Sequence, residues 1–147
     1  MQTALIGRAF CDPTWRWTHL GEDCMMFNLW LIVEGRGTMR VDGREYSLRS
    51  GDCFFFRQWE PNDGIADPEH PLVIPFIQFY CLDTKGRPLP PPNDAGVLPP
   101  IYRTILHLDF FDTLMQRSID AHLAGNQTAS IHWLRTALIE MIRQDKL

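Results

Sequence analysis

Lysine is nearly missing from this chain, occurring only at Lys85 and Lys146, and the formal net charge is −4. Without a basic cluster to neutralise phosphates, these 147 residues are poorly equipped to grip nucleic acid by themselves. Cysteine is scarce and scattered: Cys11, Cys24, Cys53 and Cys81 form no Cys-x-x-Cys pair. That spacing reads as small buried thiols in a reducing compartment rather than disulfides or metal ligands. No charged-then-apolar leader opens the sequence and no apolar run reaches membrane-spanning length, so a soluble, cytoplasmic protein is expected. Also missing are a Gly-rich phosphate loop, a Gly-x-Ser-x-Gly elbow and a Cys/His pair at readable spacing. The Glu22-Asp23 pair reads as solvated loop carboxylates. These absences argue against an enzyme, and no cofactor is expected.

Glycine-punctuated β pattern is what the chain has in quantity. Residues 29–33 and 38–42 are strand-like and joined by Glu34-Gly35-Arg36-Gly37. Asp42-Gly43 leads into 44–48, and Ser50-Gly51-Asp52 leads into 53–56. Asp-Gly between alternating segments is a strong hairpin signal, because both central turn positions favour positive φ. Short strands at this spacing predict a small barrel or sandwich. Residues 24–33 read as one long strand, with Asn28, Trp30 and Ile32 on one face and Leu29, Leu31 and Val33 on the other. Residues 72–82 read as another, pairing Ile74, Phe76, Gln78 and Tyr80 on one face, with Pro75 marking an edge or bulge. A lone glutamine among aromatics suggests a pocket, because a buried amide needs partners. Trp15-Arg16-Trp17 suits a strand with Arg16 on one face and two indoles on the other, the indoles read chiefly as core.

Composition then shifts. Residues 83–100 are rich in Pro, Gly and Asn/Asp and read as a stiff connector. From Ile101 the period is helical: Asp109 is the expected N-cap of a first helix ending at Gly125, and residues 126–130 start a second. The second helix carries Ile131, Leu134, Leu138, Met141 and Ile142 on one stripe, a face for the core or for a partner.

The ordered series Glu34-Gly35-Arg36-Gly37, Asp42-Gly43 with Tyr46 and Leu48, then Gly51-Asp52 before an apolar strand resembles the cupin barrel. More narrowly, it resembles the N-terminal effector-binding and dimerisation domain of AraC/XylS-family bacterial transcription regulators. The resemblance implies a mainly β fold with C-terminal helices, a cupin-like jelly-roll antiparallel barrel followed by two amphipathic α-helices. The barrel is expected over 1–83, the connector over 84–100 and a helical dimerisation segment over 101–147, all one compact domain. Residues 1–12 read as a short strand or a mobile arm, and the resemblance further implies a small effector in the barrel, an arm over 1–14 able to close on it, and a homodimer through Ile131, Leu134, Leu138, Met141 and Ile142. DNA would be contacted only by a C-terminal helix-turn-helix domain that these residues do not include.

Strand parity and the resemblance together place the effector among Asn28, Trp30, Asn62, Phe76, Gln78 and Tyr80, with Arg16 at the mouth. Flat aromatic faces with a few amides suit a sugar or related polar molecule. Enzymatic cupins hold a divalent metal with three histidines and a glutamate. Here the glutamate position falls at about Asn28, the late histidine position at about Asn62, and residues 21–33 contain no histidine. His19, His70, His107, His122 and His132 are scattered over loops and helices, so no metal site is expected. The alternatives are a stand-alone cupin enzyme, an isomerase or dioxygenase, and a metal-free small-molecule-binding protein.

Overall fold

The computed structural model describes residues 1–19, 25–58 and 60–147. Nine strands form two antiparallel sheets among the described residues, followed by two helices. The strands are β1 (Gln2–Phe10), β2 (Arg16–His19), β3 (Phe27–Leu31), β4 (Gly37–Val41), β5 (Arg44–Leu48), β6 (Asp52–Phe56), β7 (Asn62–Ala66), β8 (Val73–Tyr80) and β9 (Tyr102–Thr104). The helices are α1 (Leu108–Leu123) and α2 (Gln127–Asp145). One sheet runs β1-β8-β3-β6-β9 and the other β2-β7-β4-β5. The architecture is therefore a cupin-like sandwich with open edges rather than a barrel closed by continuous hydrogen bonding.

The five-stranded sheet is covered on both faces, and strand alternation sorts its side chains into two cores. Leu29, Leu31, Cys53, Phe55, Ile77 and Phe79 meet Phe111, Met115, Leu134 and Met141 of the helices. Phe54, Phe56 and Ile74 instead meet Met39, Val41, Leu48 and Ala66 of the facing sheet. This double cover explains why every residue of β6 is buried. The Asp42-Gly43 turn has positive φ at both residues, 51° and 73°, as the hairpin signal requires.

Several expectations need correction. Residues 2–10 are no arm: they form β1, an edge strand paired with β8 along its length. Its inner face is bolted to the helices. Thr3 Oγ1 donates to Gln127 Oε1 at 2.7 Å, and Arg8 forms a two-pronged pair with Asp112 at 2.9 and 3.0 Å. The strand over 24–33 is shorter, spanning Phe27–Leu31, and Cys24 lies outside the described residues. Pro75 sits on β8, which has neighbours on both sides, so it marks no edge. The β3–β8 ladder does break beside it, ending at Trp30↔Phe76 and resuming at the bridge Glu34↔Val73, since proline offers no N–H.

Residues 102–104 are a strand against β6, not helix. The N-cap of α1 is His107, with φ 56°, two residues before the expected Asp109, which lies within the first turn. Helix α2 starts within the expected residues 126–130, capped by Asn126, whose side chain accepts from the Ala129 N–H. The apolar stripe of α2 faces inward: Leu134 and Met141 are fully buried and Leu138 is 9% exposed in the chain's own core. Those three side chains cannot be offered to a second copy. Cys11 and Cys53 are free and buried, and Cys81 is free and half-buried. Burial pushes the Cys11 thiol up to about 11 and the Cys53 thiol up to about 12, so both remain protonated at neutral pH.

Candidate functional site

The inward face of the five-stranded sheet carries two cross-strand rows. Asn28 on β3 lies between Gln78 on β8 and Phe56 on β6. One step along, Trp30 lies between Phe76 and Phe54. The expected set Asn28, Trp30, Phe76, Gln78 and Tyr80 therefore shares the inter-sheet face, all half-buried. Phe76 packs beside Gly7 of β1, and Tyr80 ends β8 opposite Gln2.

Across the gap, β2 and β7 bring up Trp17 and Asn62. Trp17 lies flat on Gly64, where any side-chain carbon would run into the indole. Its ring stacks on Trp15 at 4.6 Å and sits 5.3 Å from Trp30, which meets the edge of Phe56 at 5.2 Å. Asn62 is 6% exposed, and its amide is used up structurally. Trp17 Nε1 donates to its Oδ1 at 2.9 Å, and its Nδ2 donates to the Glu60 carbonyl at 3.2 Å. Asn62 thus aims the indole rather than offering itself. Arg16 alternates with the two tryptophans and is exposed on the outer face, so it stands away from this gap.

Two buried polar atoms on the inward face have no partner among the described residues, Asn28 Oδ1 and Trp30 Nε1. Each such atom costs about 1–3 kcal/mol when left without a hydrogen bond. An acceptor and a donor two residues apart on one strand, beside aromatic faces, suit a polar molecule that supplies both counterparts.

The registers put the N-terminal end of β3, the C-terminal ends of β6 and β8, the N-terminal end of β7 and the β4–β5 hairpin at one end of the sandwich. Gln58 fastens this end, donating from Nε2 to the carbonyls of Met25 and Leu89 at 3.2 and 2.8 Å. The proline-rich connector is thereby held across it.

Sequence reasoning missed Trp17, Phe56 and Gln58 as parts of this site. The Trp-Arg-Trp alternation carried the signal for Trp17, but burial alone could not separate a pocket wall from core. The site does not fit a divalent metal, because the two positions where the metal ligands of enzymatic cupins would stand are amides and one is already hydrogen-bonded to an indole. Among the described residues no three His, Cys, Asp or Glu side chains gather to hold an ion.

The inter-sheet face thus sets indole and phenyl rings beside an unspent amide oxygen and an unspent indole N–H. The chain belongs to the AraC-like ligand binding domain family, which it matches over residues 6–81. Solved structures with a similar fold include a cupin protein from Bacteroides fragilis, at 18% identity and TM-score 0.38, covering 50% of this chain and 60% of that one. A predicted oxalate decarboxylase from Thermotoga maritima matches at 18% identity and TM-score 0.42, covering 53% of this chain and 67% of that one. The plu4264 protein from Photorhabdus luminescens matches at 15% identity and TM-score 0.42, covering 55% and 65%. The chain spans about 60% of the length of the first of these. A search of curated proteins found no match. No described helix is long and apolar enough to cross a membrane.

Proposed function

We propose that this chain is the effector-sensing and dimerising module of an AraC-type transcription regulator, and that it performs no chemistry itself. The observation carrying the reading is the pair of unpartnered buried atoms, Asn28 Oδ1 and Trp30 Nε1, on an aromatic inward face. A sugar or similar polyhydroxylated molecule presents a donor and an acceptor on adjacent groups and an apolar ring face for Trp30. Gln78, next to Asn28 in the same row, supplies a second amide. The effector acts by binding one arrangement of the module better than another, which biases DNA engagement by a helix-turn-helix unit outside these residues.

A panel of sugars and small polar molecules, read by thermal shift and tryptophan fluorescence, tests this. A binder should raise Tm by mass action and perturb emission from the Trp15–Trp17–Trp30 cluster. Trp30→Ala should remove both responses. A panel without any responder would sink the reading.

The dimer is proposed through the outer side of α2, where Ile139 is 68% and Ile142 38% exposed. Large apolar side chains in solvent on one helix support a surface covered by a second copy. Ile139→Glu combined with Ile142→Glu should turn a dimer into a folded monomer in light scattering and circular dichroism, with Tm no longer dependent on protein concentration. Leu138→Glu should instead unfold the chain, because that side chain is in the core. A wild-type monomer at high micromolar concentration would defeat the claim.

A further inference from the structure

We propose that the effector carries a carboxylate, held by Arg44 and Arg57 in a cleft at the hairpin end of the sandwich; this rests on the sensing role proposed above. The cleft encloses about 310 Å³ and is lined by Val41, Arg44 and Tyr46 on one side and by Arg57, Ile101 and Tyr102 on the other. That volume is at the lower end for small-molecule sites, roughly 300–1,000 Å³, and suits a single sugar-sized acid.

Arg44 shares strand parity with Tyr46 and Leu48, which pack on the inter-sheet core. Its guanidinium is accordingly laid over the Tyr46 ring at 5.4 Å, towards the cleft. Among the described residues no carboxylate pairs with it. Arg57 is already shaped to hold a carboxylate, that of Glu60, in a partly buried pair. Its bonds are long, at 3.4 Å from Nε and 3.2 Å from Nη2, against about 2.7–2.9 Å for a well-seated charge-assisted pair. The Arg57 backbone N–H also donates to Glu60 Oε1 at 3.3 Å, so an entering carboxylate shares the guanidinium with Glu60 or displaces it. Asp42, at the hairpin turn, is the one carboxylate among the described lining residues, and with Glu60 already on Arg57 it is Arg44 that brings the uncommitted positive charge.

The cleft is continuous in chemistry with the inner site. Tyr102 is 5.3 Å from Phe54, Phe54 stacks on Phe56 at 5.8 Å, and Phe56 abuts Trp30. Phe54 and Phe56 are buried core, so the acid sits wholly in the cleft and touches the inner row through this aromatic stack.

The test uses matched pairs: galacturonate and glucuronate against galactose and glucose, and phenylacetate against phenylacetamide, read by thermal shift and tryptophan fluorescence. At least one acid should bind about tenfold more tightly than its neutral twin, with the advantage shrinking in about 0.5 M salt. Arg57→Gln and Arg44→Gln should each remove most of that advantage, and Arg57→Lys should restore only part of it. Should Arg57→Gln fail to fold, Arg44→Gln, at an exposed strand end, gives the same reading. Neutral sugars binding as tightly as their acids, or Arg44→Gln keeping wild-type affinity for the acid, overturns the inference and leaves the sensing role standing. Silence from both series overturns both.

Discussion

Arg103→Ala should cost about 3–5 kcal/mol, the usual price of stripping one partner from a buried ion pair. Arg103 lies on β9 opposite Cys53 and turns to the helix side of the sheet. Its Nε and Nη2 each donate to the Asp145 carboxylate at 3.0 Å, and Nη2 also donates to the Pro100 carbonyl at 2.6 Å. The two side chains are only 7% and 15% exposed, so the alanine variant leaves a carboxylate and a carbonyl short of water as well as of a partner. At about 2–4 °C per kcal/mol for a chain of this size, Tm should fall by roughly 6–20 °C. Calorimetry checks the size, and a fall below about 2 °C would contradict the account.

The same substitution should loosen the end of α2. The neighbouring Gln144 grips Leu106 at both backbone groups, accepting from its N–H at 2.8 Å and donating to its carbonyl at 3.1 Å. Strand β9 therefore presents Tyr102 to the cleft and ties Arg103 to the last turn of α2, through successive residues on opposite faces. Hydrogen exchange in residues 139–145 should rise in Arg103→Ala more than in α1. If effector binding shifts Tyr102, the adjoining Arg103–Asp145 ion pair is a direct route by which the end of α2 would feel it.

How much of this was legible in the sequence follows from which forces are local. The Asp42-Gly43 hairpin was readable because its φ demands belong to two residues. The inward set on β3 and β8 was readable because alternation is a property of one strand. Strand β9 was not, since three residues after a proline run carry no period and its partner β6 is some fifty positions away. The stripe on α2 showed that one face is apolar, but not that α1 and the sheet would cover it. Likewise, the reading of residues 1–14 as an arm missed the side-chain bonds from Thr3 and Arg8 to the helices, which span more than a hundred positions. The unpartnered Asn28 and the employed Asn62 look alike in sequence, and only packing against Trp17 separates them.

Gly64→Ala should be the most damaging exchange in the site, despite adding one methyl group. Gly64 sits in the middle of the four-stranded sheet, between Trp17 on β2 and Met39 on β4. A side-chain carbon there meets the Trp17 ring on one side and the Thr38 carbonyl, at 2.6 Å, on the other. The carbonyl is in the ladder, so the indole must give way, losing its bond to Asn62 and its stack on Trp15. Overpacking at about 1–3 kcal/mol plus a buried hydrogen bond at about 1 predicts a loss of about 2–4 kcal/mol. Gly43→Ala is the control: it has open space around it and only its positive φ to offend, for about 1 kcal/mol. Tryptophan emission should change in Gly64→Ala and not in Gly43→Ala. In a Trp17→Ala background the Gly64→Ala cost should shrink by at least half, because the colliding ring is gone and only the Thr38 contact persists. Equal costs in both backgrounds would mean that the glycine serves the strand ladder and not the indole.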